Sequence, residues 1–152
     1  MELITGYGGN KMRAKEYLEQ VYWLDDIIAN KNAEIEYWKG VAEGTSIASE
    51  GERVQSSGNH QKMAAAVCRY VELEKDVKRL EGRRDEIIKT IEKLRFPEYD
   101  LLHKVYIQGK LLKEVVADKK KSQSWGTATH KKALRNLQKL IDERGVRNGK
   151  KI

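Results

Sequence analysis

The chain has 152 residues, of which 35% are charged and 7% aromatic, with one proline and a net charge of +7. This composition suits long solvated helices and argues against a β-sandwich, a β-barrel or the large core of an enzyme. We therefore expect an all-α protein. Its charge is uneven, because residues 100–152 hold 14 Lys or Arg against 5 Asp or Glu, whereas residues 1–99 hold 16 against 18.

The N-terminal residues 1–10 have no cationic start followed by an apolar core, and no run of about 18 apolar residues occurs in the chain. We expect a flexible N-terminus, no signal peptide, no membrane contact and a cytoplasmic location. Cys68 is the only cysteine, which excludes an intramolecular disulfide and a cysteine-based zinc cluster.

Two heptad patterns of apolar residues predict a pair of long helices over residues 11–96. The first pattern runs through Ala14, Tyr17, Val21, Leu24, Ile28, Lys31, Ile35 and Trp38. The second runs through Tyr70, Leu73, Val77, Leu80, Arg84, Ile87, Ile91 and Leu94. In an antiparallel coiled-coil hairpin, Ala14 would face Leu94 and Trp38 would face Tyr70, with every layer between them filled.

The hairpin pattern has two charged interruptions and one long connection. Lys31 and Arg84 fall on the seams, where we expect their stems to cover the core while their charged heads reach water or acidic neighbours. Residues 40–61, rich in Gly, Ser and Glu, are predicted to form a long loop. Within this loop the polar string Glu52–Ser57 is interpreted as part of a connector, with a contact site as the alternative.

The first helix also carries apolar residues outside the main seam. Trp23 and Ile27 make its apolar surface wider than a two-helix contact needs. This excess could cover the C-terminal domain or meet another copy of the chain, and we favour self-association. The hairpin is therefore predicted to serve oligomerisation or contact with another protein, for example RNA polymerase.

Pro97 marks the predicted start of a C-terminal domain over residues 97–144. Three helices are expected there, with a polar turn after a run of three lysines. Ser122 is expected to cap the third helix. The inner faces are predicted to contain Leu101, Leu102, Val105, Tyr106, Leu111, Leu112, Val115, Val116, Ala133, Leu137, Leu140 and Ile141. Residues 145–152 would form a basic tail.

The second and third of these helices have the pattern of a helix-turn-helix, whose second helix presents its first turns to base edges of DNA. The candidate base-reading residues are Gln123, Ser124, Thr127 and Lys131. The candidate phosphate ligands are Lys119, Lys120, Lys121, Lys132 and Arg135. Gly126 would cost ~1 kcal/mol relative to alanine inside a helix, so the helix could instead begin at Thr127. Trp125 is predicted to plug the core beside the turn, with base stacking as the alternative.

The order of these elements resembles a phage and prophage family of ArpU/RinA-like late transcriptional regulators. The resemblance covers residues 14–141 and depends most on the string Arg53-Val54-Gln55-Ser56-Ser57 and on the pattern Ala133-Leu134-Arg135-Asn136-Leu137. It implies a helix-turn-helix similar to region four of sigma factors, acting in a bacterial host cell. The family tends to have a glycine or small residue in the turn, whereas this chain has three lysines, so the exact position of the turn stays open.

These features predict a sequence-specific regulator of late or packaging genes that binds double-stranded DNA, without catalytic activity, cofactor or metal. His60, His103 and His130 lie in separate segments, and the Gly6–Gly9 cluster lacks the lysine of a phosphate-binding loop. Two alternatives remain open. One is a DNA-packaging adaptor similar to a phage small terminase subunit, which ring assembly would favour. The other is a protein-interaction module, which predicts no salt-sensitive DNA binding.

Overall fold

The computed structural model describes residues 12–44 and 56–151, and it describes their side chains except at 56, 57, 59 and 145–151. Within these ranges every regular element is helical, which confirms the predicted all-α class. The elements are α1 Ala14–Ala42, α2 Ser56–Ile91, α3 Phe96–Leu102, a π-helical turn His103–Ile107, α4 Leu112–Asp118 and α5 Gln123–Lys151. None of the helices in the described ranges is both long and apolar enough to cross a membrane.

Helices α1 and α2 form the expected antiparallel hairpin along their heptad seams. Ile35, Leu73 and Val77 are buried together, and Ile28, Trp38 and Tyr70 pack against them. The predicted layers place Trp38 opposite Tyr70 and Ile35 opposite Leu73, and both pairs lie in this cluster. The apolar period of 3.5 residues therefore determined both the partner of each helix and their register.

Ion pairs lie beside this seam. One of them gives Lys31, the charged residue on the seam of α1, an acidic partner. Lys31 Nζ lies 3.3 Å from Asp76 Oδ2, so the lysine stem covers the core while its head meets a carboxylate, as expected. The hydrogen bond from Lys31 outweighs the opposing effect of desolvation and lowers the pKa of Asp76. Lys39 and Glu74 make a second pair across the hairpin at 3.4 Å.

The bounds predicted for the loop, residues 40–61, are wrong at both ends. Helix α1 continues through Gly40 to Ala42, and α2 already begins at Ser56. Gly40 alone does not end the helix, because the backbone leaves it only at Gly44, whose φ of +74° is the left-handed conformation common after a helix. Residues 1–11 and 45–55 lie outside the described ranges, and with them the expectations for the N-terminus and for most of the polar string.

The chain divides into two compact units, which we call the basic unit and the hairpin unit. The basic unit comprises Met1–Trp23 and Arg84–Ile152, and the hairpin unit comprises Leu24–Arg83. The basic unit holds 21 Lys or Arg against 12 Asp or Glu, and the hairpin unit holds 9 against 11. Pro97 does stand at the start of α3. The packing of the basic unit nevertheless includes one end of each hairpin helix.

Polar side chains on α5 tie it to these helix ends. Gln138 Oε1 accepts a hydrogen bond from the backbone N–H of Ala14 at 2.7 Å, while its Nε2 donates to the carbonyl of Met12 at 3.1 Å. The side chain of Gln138 thus satisfies an N–H at the start of α1 that has no partner within its own helix. Arg144 donates to Tyr17 Oη at 3.0 Å and to Thr90 Oγ1 at 3.2 Å.

A buried carboxylate joins α5 to α3. Glu98 is buried at the start of α3, and Asn136 Nδ2 donates to its two carboxylate oxygens at 3.0 and 3.2 Å. Burying a charge without hydrogen-bond partners is costly, so this amide stabilises the packing of α3 against α5. The apolar core around it includes Leu18, Val21, Ile91, Leu101, Leu102, Val115, Ala133 and Leu137.

We predict that Asn136→Ala lowers the free energy of unfolding by about 1–3 kcal/mol, because Glu98 then loses the donor to both of its oxygens. Urea denaturation of the full chain measures this change. Lys139→Ala, an exposed position on the same helix, is the matched control and should change stability by less than about 0.5 kcal/mol. Equal effects of the two substitutions would show that the amide contributes nothing.

Candidate nucleic-acid interface

The turn between α4 and α5 is built by a helix C-terminus and a helix N-cap that follow one another within four residues. Lys121 N–H donates to the carbonyl of Val116 and Lys120 N–H to that of Ala117, both at 3.0 Å. These two bonds form a Schellman motif, which ends α4. Ser122 Oγ then accepts the N–H of Trp125 at 3.0 Å, which confirms the predicted cap of α5.

Lys120 occupies the position in this motif that glycine usually fills. Its φ is +58°, and no other non-glycine residue in the described part of the chain has a positive φ. A left-handed backbone costs an L-residue about 1–2 kcal/mol, so the lysine is held there by the turn and not by its own preference. Its side chain is exposed at the tip of the turn.

Gly126 sets the distance between α4 and α5. The residue is buried, and a Cβ built on it would collide with Cγ2 of Val116 and lie 3.8 Å from Cδ1 of Leu112. Only glycine lets the two helices approach this closely. The alternative start of the helix at Thr127 is therefore wrong, because α5 begins at Gln123 and the conformational cost of the glycine is offset by packing.

All four candidate base-reading residues lie on one exposed face of α5. Gln123, Ser124, Thr127 and Lys131 are each exposed. At about 100° per residue they span roughly 100° of the helix circumference, on the side away from the buried Ala133. The structure thus brings together the residues that the sequence singled out.

The cations around this face differ in their exposure and in their partners. Lys120, Lys121, Lys132 and Arg135 are exposed. Lys119 instead forms an ion pair with Asp100 and has a side-chain exposure of 22%. Lys119 therefore differs from the other expected phosphate ligands. Its ammonium already pairs with a carboxylate of the same unit.

Asp100 on α3 holds two lysines. Besides Lys119, the ammonium of Lys104 lies 3.0 Å from its Oδ2. Partial burial of Asp100 disfavours its charged form, but the hydrogen bonds from Lys119 and Lys104 outweigh it and hold the pKa of this carboxyl below its ordinary value. The carboxylate is therefore ionised at neutral pH.

One residue predicted for the inner faces, Leu111, lies on the surface. Leu111 is 57% exposed, because α4 begins only at Leu112 and Leu111 is its N-cap, with its N–H donating to Glu114 Oε1 at 3.1 Å. Trp125, which was predicted to plug the core beside the turn, is partly buried. Lys121 Nζ lies 5.6 Å from the centroid of the Trp125 ring, within the range of a cation–π contact.

Sequence reasoning missed a Tyr–His pair that supports α5 from its inner side. Tyr106 Oη and His130 Nε2 are 2.9 Å apart, and the two rings stack at an interplanar angle of 10°. Burial, with a further contribution from Lys15, lowers the pKa of His130, and burial also raises the pKa of Tyr106 to about 12. His130 stands next to Lys131 in sequence, so its anchoring helps to fix the exposed face.

Comparisons with known families, curated proteins and solved structures find no match.

We predict that Gly126→Ala destabilises the protein by about 1–3 kcal/mol, because the added Cβ overpacks the crossing of α4 and α5. Gly82→Ala is a matched control in α2, where nothing lies within 4 Å of the added Cβ. This control should raise stability by roughly 0.5–1 kcal/mol, since alanine favours a helix over glycine. Urea denaturation of both variants measures the difference, and a stabilised Gly126→Ala variant would contradict a close approach.

Proposed function

We propose that the basic unit binds double-stranded DNA through a helix-turn-helix formed by α4 and α5, and that the chain is a phage-derived, sequence-specific transcriptional regulator of late or packaging genes. The observation that carries this proposal is the joint exposure of Gln123, Ser124, Thr127 and Lys131 on the first turns of α5, beside a cationic turn. The resemblance to ArpU/RinA-like regulators supports the same function.

The chemistry of this face suits direct recognition in the major groove. The amide of Gln123 can bind adenine with two hydrogen bonds, Lys131 can donate to the acceptors of guanine, and the hydroxyl of Thr127 can contact several bases. In helix-turn-helix proteins the residues at these positions contact base edges. The four residues are therefore proposed to determine the sequence preference.

Phosphate contacts are proposed for the exposed cations Lys120, Lys121, Lys132 and Arg135. The surplus of positive charge in the basic unit favours association with any duplex. If each of these cations neutralises one phosphate, the logarithm of the binding constant falls with the logarithm of the salt concentration with a slope near −3.6, or ~0.9 for each contact. This term is independent of sequence, so specificity depends on the exposed face of α5.

The first experiment selects bound fragments from a mixed-sequence duplex library with the full chain. We expect an enriched motif, together with a steep salt dependence on any duplex. An absence of salt-sensitive binding would overturn the proposal and favour a protein-interaction module. The mass of the protein in solution is measured alongside, because a two-fold dimer predicts a palindromic site. A ring would favour a packaging adaptor similar to a small terminase subunit.

Lys131 and its neighbour Lys132 provide a matched pair of variants. We predict that Lys131→Ala changes the preferred base at one or two positions of the selected motif, because a base-contacting group is lost. We predict that Lys132→Ala keeps the motif but reduces the salt slope by ~0.9, because one phosphate contact is lost. Selection and salt titration on both variants test this division, which equal loss on all sequences for both would reject.

The variant Lys120→Gly tests the role of Lys120 in DNA binding separately from its effect on stability. Glycine adopts the left-handed backbone without strain, so we predict unchanged or higher stability, with a gain of up to about 1 kcal/mol. The same variant should bind duplex DNA more weakly, with a salt slope reduced by ~0.9. Thermal unfolding and salt titration provide the two measurements. Unchanged DNA binding would remove Lys120 from the set of phosphate ligands.

For the hairpin unit we propose contact with another protein, either a second copy of the chain or the host RNA polymerase. Its charge is slightly negative, unlike that of the basic unit, so it is poorly suited to DNA. Tyr37 is 58% exposed, and Val67 and Val71 are also exposed. Exposed aromatic and aliphatic groups of this kind favour protein contacts. Such a regulator would act in the cytoplasm of the bacterial host.

A further inference from the structure

Asp100 is an acidic residue held between two lysines of the basic unit. Its side chain is 14% exposed, and both Lys104 and Lys119 form ion pairs with it. Lys119 belongs to the turn that leads into α5, whereas Asp100 belongs to α3. The Asp100 carboxylate therefore holds Lys119, the first lysine of the turn, apart from the exposed lysines that follow it.

The ammonium of Lys119 has a second partner on the same side. Its Nζ lies 5.6 Å from the ring centroid of Phe96, a distance at which a cation is attracted to an aromatic face. Phe96 is itself 67% exposed. The lysine is thus held by a carboxylate and an aromatic ring together. To reach a DNA phosphate it would have to give up both contacts.

Withholding one cation has a specific consequence for DNA binding. Each lysine that neutralises a phosphate strengthens binding to every sequence alike, because the released counterions do not depend on base identity. A protein that must find one site among many is also held at the competing non-specific sites, and more strongly as its sequence-independent affinity rises. Reducing the number of freely available cations near the reading face therefore lowers the sequence-independent affinity.

We propose that Asp100 is a positioning residue that limits sequence-independent DNA binding by holding Lys119 against α3. This inference rests on the proposed function of the basic unit. It assigns Asp100 a role through Lys119 and not through contact with DNA. In the protein as it stands, Lys119 neutralises no phosphate, unlike Lys120 and Lys121.

The test is a salt titration of the full chain on a short mixed-sequence duplex. Asp100→Asn keeps the size of the side chain but removes its charge, which releases Lys119. We expect the salt slope to steepen by ~0.9 and the affinity to rise by up to roughly 15-fold at about 50 mM salt, the limit for one released counterion. Lys119→Gln alone should leave the slope of the original protein unchanged.

The double variant Asp100→Asn with Lys119→Gln separates release of the lysine from the general loss of a negative charge. Its slope should return to that of the unsubstituted chain. Asp118→Asn is the matched control, because it removes one exposed negative charge at the end of α4 while leaving the Asp100 pair intact. It should leave the slope unchanged. A cooperative urea transition in each variant confirms that it is folded.

Three results would overturn the inference. The first is an unchanged slope in Asp100→Asn, and the second is a slope already flattened in Lys119→Gln alone, which would make Lys119 an ordinary phosphate ligand. The third is a steeper slope that persists in the double variant. An original chain that binds no duplex at any salt concentration would overturn the proposed function as well, so the two failures are distinguishable.

Discussion

The close approach of α4 and α5 at Gly126 is the constraint on which the proposed interface depends. At Gly126 the backbone of α5 packs directly on Val116, within the first turn after the Schellman motif and the Ser122 cap. Thr127 and Lys131 lie about 100° and 140° around the helix from Gly126, so neither points into the crossing, and both are exposed. This packing contact therefore holds the exposed face of α5 close to the cationic turn that ends α4.

Beyond its first turns, α5 is held by polar contacts with other helices of the basic unit. Gln138 caps the start of α1, Asn136 satisfies the buried Glu98, and Arg144 joins Tyr17 and Thr90. Such hydrogen bonds have strict geometry, so they orient the helix more narrowly than apolar packing alone. One end of the hairpin thus contributes to the position of the proposed reading helix.

Local patterns predicted most of the helical architecture. The heptad spacing from Ala14 to Trp38 predicted the hairpin because it depends only on residues three and four apart. The cap at Ser122 followed from the same kind of short-range signal. The contact between Gln138 and the backbone of Ala14 joins residues 124 positions apart, and no local pattern predicts it. The role of Gly126 was missed because a glycine costs stability in an isolated helix and contributes only at a helix crossing.

The net charge of the basic unit does not by itself give the number of cations that can reach DNA. The basic unit has a surplus of nine positive charges, yet several of its cations have partners within the unit. Lys104 and Lys119 pair with Asp100, and Arg144 lies 3.5 Å from a carboxylate oxygen of Glu86. Long-range attraction to a polyanion follows the summed charge, whereas the number of released counterions follows the cations that can reach phosphates. The surplus therefore governs how readily the unit approaches DNA, and the arrangement of its lysines governs how many phosphates it neutralises there.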